Sequence, residues 1–383
     1  MKKFESALLN PIDITVGIFI LVAGLIFFMQ ASSKFKLTKQ EVIAIYIWHS
    51  FFAFFFISLD MRHGFDSVDW YLDRKMSYGF GNSFMYTICY ILDLLFIGYL
   101  GQNALFNILG SFSLLIIYHI IKNLSVNNNF FFKFSVLIIL LPGFNLWSSG
   151  ISKDTISIFA LCLMIFSIVD KEKKWILFLL STLTFSLVRP HLLLFSIIAG
   201  LFAFFIFFKK KINIFILLIY LVLLMPLLFF LFKFSIYFVP YEGDLSRYAQ
   251  KLMSFGEMLR NSYTATPLGI AYDTNLFFRI VNFLFKPFFT DIKDIYSFYF
   301  SVESFIIMIF FMSFFYQFFL LKNKFFLKKI NNFFILFIFF FGIFALIIFS
   351  YFISNYGISL RQKWMFIPLF IIIFNYLLKD EKR

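Results

Sequence analysis

Apolar residues in this chain fall in long runs broken by short polar connections. Stretches such as 14–29 and 332–349 are apolar nearly throughout. They show neither the period-two alternation of a half-buried strand nor the polar stripe of a surface helix. Runs of about 20 residues match the length of helix that crosses a bilayer. Hydrocarbon offers an unpaired peptide group no partner, so a spanning segment must be a helix or part of a closed barrel. A barrel needs polar and apolar positions to alternate, and these runs do not. The pattern therefore predicts an all-α polytopic integral membrane protein with about 12 transmembrane helices. They fall near 12–30, 42–59, 82–100, 103–121, 134–149, 155–169, 175–188, 192–208, 212–232, 297–321, 333–353 and 364–378. The run 134–149 contains Pro142 and Gly143, which predicts a broken or re-entrant segment.

One stretch, 234–296, is too long to be a plain connector. Its earlier part carries Glu242, Asp244, Arg247, Arg260 and Asp273 among aromatics and reads as an external cap. Its later part, Leu276 to Phe289, is apolar but interrupted by Arg279, Lys286 and Pro287, and predicts an amphipathic helix at the membrane interface. No internal repeat and no separate soluble domain stand out, so residues 1–383 read as a single membrane domain.

Composition narrows the class further. Of the residues, 62% are hydrophobic and 14% charged, against roughly half and a quarter in a soluble domain. The 67 phenylalanines accompany abundant Ile, Lys and Asn, a drift that lipid-facing positions tolerate because Phe partitions into the bilayer about as well as Leu. The net charge of +14 would suggest nucleic acid on a soluble protein. Here Lys171, Lys173 and Lys174, Lys209 to Lys211, the 322–329 segment and Lys379 to Arg383 sit between or after apolar runs on alternate connections. That is the positive-inside pattern, and it excludes nucleic acid as a partner in favour of membrane lipid. It puts those connections in the cytoplasm and Arg189, the 234–296 segment and Arg361 outside. In the N-terminal half charge does not set the orientation: connections 31–41 and 60–81 carry three cationic residues each, yet face opposite sides if 42–59 spans. Cys89 and Cys162 lie inside apolar runs and suggest neither a disulfide framework nor a metal site. The first apolar run has no small-residue cleavage site.

Ionisable residues near membrane depth are costly and mark candidate function. Arg189-Pro190-His191 joins two spans: the guanidinium fork suits phosphate oxygens, Pro190 fixes the turn, and His191 can hold a proton near neutral pH. The alternative for Arg189 is a snorkel to headgroups. The stretch Pro142 to Asp154 supplies a helix break, Ser152 or Asp154 as a helix cap, the flat face of Trp147, which suits a sugar ring, and Lys153 as a phosphate ligand beside Asp154 as a base. Asn355-Tyr356-Gly357 with Arg361-Gln362-Lys363 places two cations on an outward connection, against the charge bias. Arg279 with Lys286 and Pro287 either holds a lipid phosphate or snorkels. The loop Asp60 to Tyr71 carries three carboxylates and His63, with Asp66 a candidate general base. Asp93 and Glu303, inside spans, read as pairing within the bundle. There is no P-loop or dinucleotide fingerprint, no zinc-type ligand pair and no Gly-x-Ser-x-Gly elbow, so no cofactor is expected and an enzyme's donor would be a lipid.

Taken in order, these motifs resemble the Wzy-type O-antigen polymerases, the bacterial oligosaccharide repeat-unit polymerases. Pro142 to Asp154 looks like their P-x-x-x-x-W-S-S-G-x-x-K-D/E box, and Arg189-Pro190-His191 like their R-P-H/Y step. Arg279 with Phe285-Lys286-Pro287 resembles R…F-x-x-P, and Asn355-Tyr356-Gly357 followed by Arg361-Gln362 resembles the N-x-G…R-Q box before the last span. Ile358 stands where Thr often follows the N-x-G, and Lys363 where the motif ends in Arg.

The resemblance implies an inner-membrane enzyme with its site on the periplasmic face. Its donor would be a growing glycan on undecaprenyl pyrophosphate, its acceptor one repeat unit on the same lipid, and its partner a chain-length regulator protein. The acceptor hydroxyl would attack the donor's anomeric carbon and undecaprenyl pyrophosphate would leave. Pyrophosphate leaves well once its charge is neutralised, so no metal is obligatory. Arg189 and Arg361, helped by Lys153 or Arg279, would stabilise the leaving group, and Asp154, Asp66 or His191 would take the proton. Rival readings are a transferase adding a single sugar from a polyprenyl carrier, a transporter of lipid-linked oligosaccharide, which would want charge through the midplane of many helices, and a non-enzymatic scaffold.

Overall fold

A computed structural model of the chain describes residues 10–64, 66–73, 76, 79–124, 130–169, 175–208, 222, 275–320, 332–353 and 356–378. The predicted 212–232 span apart from Val222, the cap region up to 274, Asn355 and the lysine clusters at 171–174, 209–211, 322–329 and 379–383 lie outside these residues. Every regular element among the described residues is helical. Seven helices are long and apolar enough to cross a membrane: Pro11–Ala31, Lys39–Arg62, Tyr99–Leu124, Pro190–Phe208, Ile295–Tyr316, Phe333–Tyr351 and Gly357–Leu378. The chain is an all-α, polytopic, membrane-embedded protein. Phe130–Ile139, Trp175–Val188 and Leu276–Phe285 are shorter apolar helices. The 82–100 run is interrupted: a helix over Asn82–Leu94 ends in a tight turn in which Phe96 takes a φ of 60°, and the next begins at Tyr99. Thirteen residues reach about 20 Å, short of a hydrocarbon core of about 30 Å.

The chain forms two compact units, Met1–Leu193 with Phe374–Arg383, and Leu194–Ile373. The first contains α1 (Pro11–Ala31), α2 (Lys39–His63), α3 (Asp66–Leu72), α4 (Asn82–Leu94), α5 (Tyr99–Leu124), α6 (Phe130–Ile139), α7 (Pro142–Trp147), α8 (Lys153–Val169), α9 (Trp175–Val188) and the start of α10 (Pro190–Phe208). Helix α5 is its axis, packed by α1, α2, α6 and α8. It buries Gln102, Asn103, Asn107, Ser111 and Ser113, whereas α1 exposes Ile12, Ile18, Phe19, Val22, Ile26 and Phe27. Polar groups inside and apolar groups outside is what a lipid solvent requires. The N-terminus of α5 has its orphan N–H groups met from another helix: the buried Asp13 carboxylate accepts from Leu100 N at 2.8 Å and Gly101 N at 3.1 Å. Helix α2 opens on a capping box between Thr38 and Glu41, and Glu41 also takes Lys122 of α5 at 2.6 Å.

The second unit contains α11 (Leu276–Phe285), a 3-10 turn at Phe289–Asp291, α12 (Ile295–Leu320), α13 (Phe333–Phe352), α14 (Tyr356–Gln362), a second 3-10 turn at Lys363–Met365 and most of α15 (Ile367–Leu378). Helix α11 packs against α12 and α13. It turns Arg279, Phe283 and Leu284 inward and leaves Phe277 and Phe278 exposed.

Candidate functional site

The stretch 142–154 folds as its sequence suggests. Pro142 starts α7 at the position where a missing N–H costs nothing. The chain then turns through Ser148–Ser152 into α8, and Ser152 Oγ caps that helix by accepting from Thr155 N at 3.0 Å. Two glycines let this turn lie directly on its neighbours. A Cβ at Gly110 of α5 would overlap the Ser148 carbonyl oxygen, and one at Gly150 would overlap the Phe56 ring of α2. The turn is pinned by Asn103, whose Oδ1 accepts from Ile151 N at 3.1 Å. It is also held by the fully buried His49, whose ring meets Ser148 Oγ at 3.0 Å, Asn107 Oδ1 at 2.8 Å and Ser111 Oγ at 3.1 Å. His49 was not apparent in the sequence, where it is one polar residue in an apolar run. A signal was present in Asn103, Asn107 and Ser111, spaced by four and so on one face of a helix.

This turn delivers Lys153 and Asp154 to the first turn of α8. The Asp154 carboxylate is in direct contact with the Arg189 guanidinium, and both side chains are at least nine-tenths buried. Arg189 follows the last residue of α9, whose C-terminus is tied to the start of α4 by Gly81 N donating to Leu187 O at 2.8 Å. Lys153 bonds Asn82 Oδ1 at 2.8 Å and stands over the Trp70 ring at 5.8 Å. His191, in the first turn of α10, lies within the electrostatic reach of Arg189 and Lys153. Trp147 is half-buried at the end of α7. Arg189 is therefore held in the protein by a carboxylate partner. Asp154 touches it directly and is placed to orient the guanidinium fork, while Lys153 is the more exposed cation of the pair of boxes.

In the 60–71 loop the candidate base Asp66 is exposed on the first turn of α3, as is Asp69. The buried carboxylate is instead Asp60, which accepts hydrogen bonds from the hydroxyls of Ser67 and Tyr99. Nothing in the spacing of these three residues announces that contact, since Tyr99 comes from a different helix.

In the second unit Arg279 does not snorkel outward. It is buried, donates from a terminal nitrogen to Tyr351 O at 3.3 Å, and lies over the Tyr351 ring at 4.8 Å. Arg361 is half-buried in the last turn of α14. Lys363, one of the two cations the sequence places on that connection, is fully buried, 3.2 Å from Ser304 Oγ and 3.8 Å from Glu303. The expected pairing of Glu303 inside the bundle is thus seen. Ser304 Oγ in turn reaches the Lys286 carbonyl at 3.2 Å.

Among the described residues no group of three or more His, Cys, Asp or Glu side chains is placed to hold a metal ion, and Cys89 and Cys162 are free and buried. No family model, curated protein or solved structure matches the chain.

Proposed function

We propose that this chain is a membrane glycosyltransferase that polymerises lipid-linked oligosaccharide repeat units, in the manner of the Wzy-type polymerases its motifs resemble. The observation that carries the reading is the meeting of two separate motif boxes: Asp154 and Arg189, thirty-five residues apart, form a buried ion pair with Lys153 beside it. A buried ion pair is weak support for stability, and ionisable groups at membrane depth are functional candidates by default.

The chemistry follows from the donors present. The acceptor's hydroxyl oxygen forms a bond to the anomeric carbon of the glycan carried on polyprenyl pyrophosphate. The bond from that carbon to the pyrophosphate oxygen breaks, and the pyrophosphate leaves with the electron pair. Guanidinium donors preplaced at the leaving oxygen stabilise the charge that develops there, and do so more strongly where water is sparse. Asp154 fixes the orientation of Arg189; Lys153 supplies an ammonium to the same phosphates; His191 or Asp154 is the candidate to receive the acceptor proton. Trp147 offers a sugar an aromatic face. The site would lie on the periplasmic face of the bacterial inner membrane.

The test is made in a strain deleted for the gene, by gel analysis of surface polysaccharide with wild type or Arg189→Ala supplied in trans. The expected result is loss of the ladder on deletion with a single repeat unit retained, restoration by wild type, and failure of the variant when its membrane abundance is matched to that of wild type. An intact ladder after deletion would remove the polymerase reading and leave the single-sugar transferase; absence of even one repeat would point to export or earlier assembly.

A further inference from the structure

We propose that Asp60 is a positioning residue that acts through Trp70: it anchors α3 so that the Trp70 ring stands beneath the Lys153 ammonium. The role of that ammonium in transfer rests on the reading above; the placement itself does not.

Asp60 is fully buried at the end of α2. Its carboxylate accepts from Ser67 Oγ and Tyr99 Oη, and its backbone carbonyl accepts from Gly64 N at 2.8 Å, where Gly64 turns the chain at a φ of 65°. One residue thus ties together the end of α2, the first turn of α3 and the first residue of α5. Helix α3 has only seven residues, too few to be stable on their own propensity, so its position is set by what holds it. Ser67 and Trp70 are three apart and share a face. The anchor of the helix and the ring under Lys153 are therefore one turn from each other. Tyr71 packs on Tyr99 at 5.5 Å between ring centres and reinforces the same join.

The core around this anchor contains Trp70, Ile151 and Val188. Ile151 lies two residues before Lys153 and Val188 immediately precedes Arg189. A shift of α3 would thus be felt through Ile151 at the turn that delivers Lys153, because close-packed cores transmit displacement.

The test uses full-length protein in native membranes, with acetylation of Lys153 by N-hydroxysuccinimidyl acetate measured by peptide mass spectrometry. Asp60→Ala is expected to raise Lys153 acetylation several-fold, to the level reached by Trp70→Ala. Asp60→Asn, which keeps an acceptor oxygen, should fall between Asp60→Ala and wild type. Should Asp60→Ala fail to accumulate, Ser67→Ala and Tyr99→Phe, each lacking one hydroxyl, must raise acetylation by a smaller factor. Unchanged acetylation in the variants that accumulate overturns the proposal. In the polysaccharide assay, Asp60→Ala should add no further loss in a Lys153→Ala background, and an additive loss would overturn the action through Lys153. If wild type fails to restore a ladder, the transferase reading falls, while the acetylation result still decides the placement of Trp70.

Discussion

The two units bury cations in different ways. In the first, Arg189 meets the Asp154 carboxylate directly. In the second, Lys363 sits 3.8 Å from Glu303 and is closer to the Ser304 hydroxyl, at 3.2 Å, while Arg279 rests on a carbonyl and an aromatic face. The direct pair makes two distant motif boxes depend on each other, since removing either partner takes from the other the buried opposite charge it touches. The second arrangement divides each cation's support, Lys363 between a serine hydroxyl and a more distant carboxylate and Arg279 between a backbone carbonyl and a ring, so losing any one leaves the other. The first unit should therefore respond to single substitutions more sharply than the second.

The largest effect expected is at Arg189. Arg189→Ala should lower stability in detergent by about 3–5 kcal/mol, the range for breaking a buried pair from one side, and should abolish the ladder. Replacing both partners, as in Arg189→Leu with Asp154→Leu, should recover most of the stability in a denaturant titration and none of the ladder. Recovery of the ladder by the double variant would break the link between this pair and transfer. Lys363→Met should cost less, about 1.5–3 kcal/mol, the range for a hydrogen bond to a charged group, and Glu303→Gln should soften it when combined. A loss at Lys363 equal to that at Arg189 would erase the contrast between the units.

How far the sequence could foretell this contrast varies by residue. The all-helical membrane class follows from run length, because hydrocarbon leaves the backbone no alternative. The break at Pro142 and the cap at Ser152 are also legible, since each rests on local chemistry. The turn at 95–98 was hidden: Phe96 and Ile97 continue the apolar run, and only Gly98 interrupts the pattern. In the site, Lys153, Asp154 and Arg189 could be picked out one by one as ionisable residues in apolar surroundings. That Asp154 holds Arg189 was not visible, because it depends on how α8 and α9 pack. The sequence points to Asp66 and not to Asp60 for the same reason. Both are carboxylates in one short stretch of sequence, and only the contacts with Ser67 and Tyr99 separate the buried one at the end of α2 from the exposed one at the start of α3.

Helix caps extend the comparison at lower energy. Asp13 caps α5 from another helix in a buried setting. Asp13→Ala should cost about 1 kcal/mol, near the middle of the range for lost caps, read as reduced stability of the first unit.

Asp294 is the exposed counterpart in the second unit, and its effect should be the smallest. Its side chain accepts from Ser297 N at 2.7 Å at the start of α12, and Ser297 Oγ returns the contact by accepting from the Lys293 and Asp294 amides at 2.8 and 2.9 Å. The Ser297 amide, then its hydroxyl, hold the Asp294 carboxyl below the ordinary carboxylate range. A depressed carboxyl stabilises the folded helix end fully above that range, and the contribution fades as pH falls through the lowered value. Amide protection at Ser297 and Phe298, followed by hydrogen exchange between neutral and acid pH, should therefore decline on acidification in the wild type. In Asp294→Asn it should be lower at neutral pH and flat with pH. A decline of equal size in the variant would assign the pH dependence to another group and leave the cap at Asp294 without an electrostatic part.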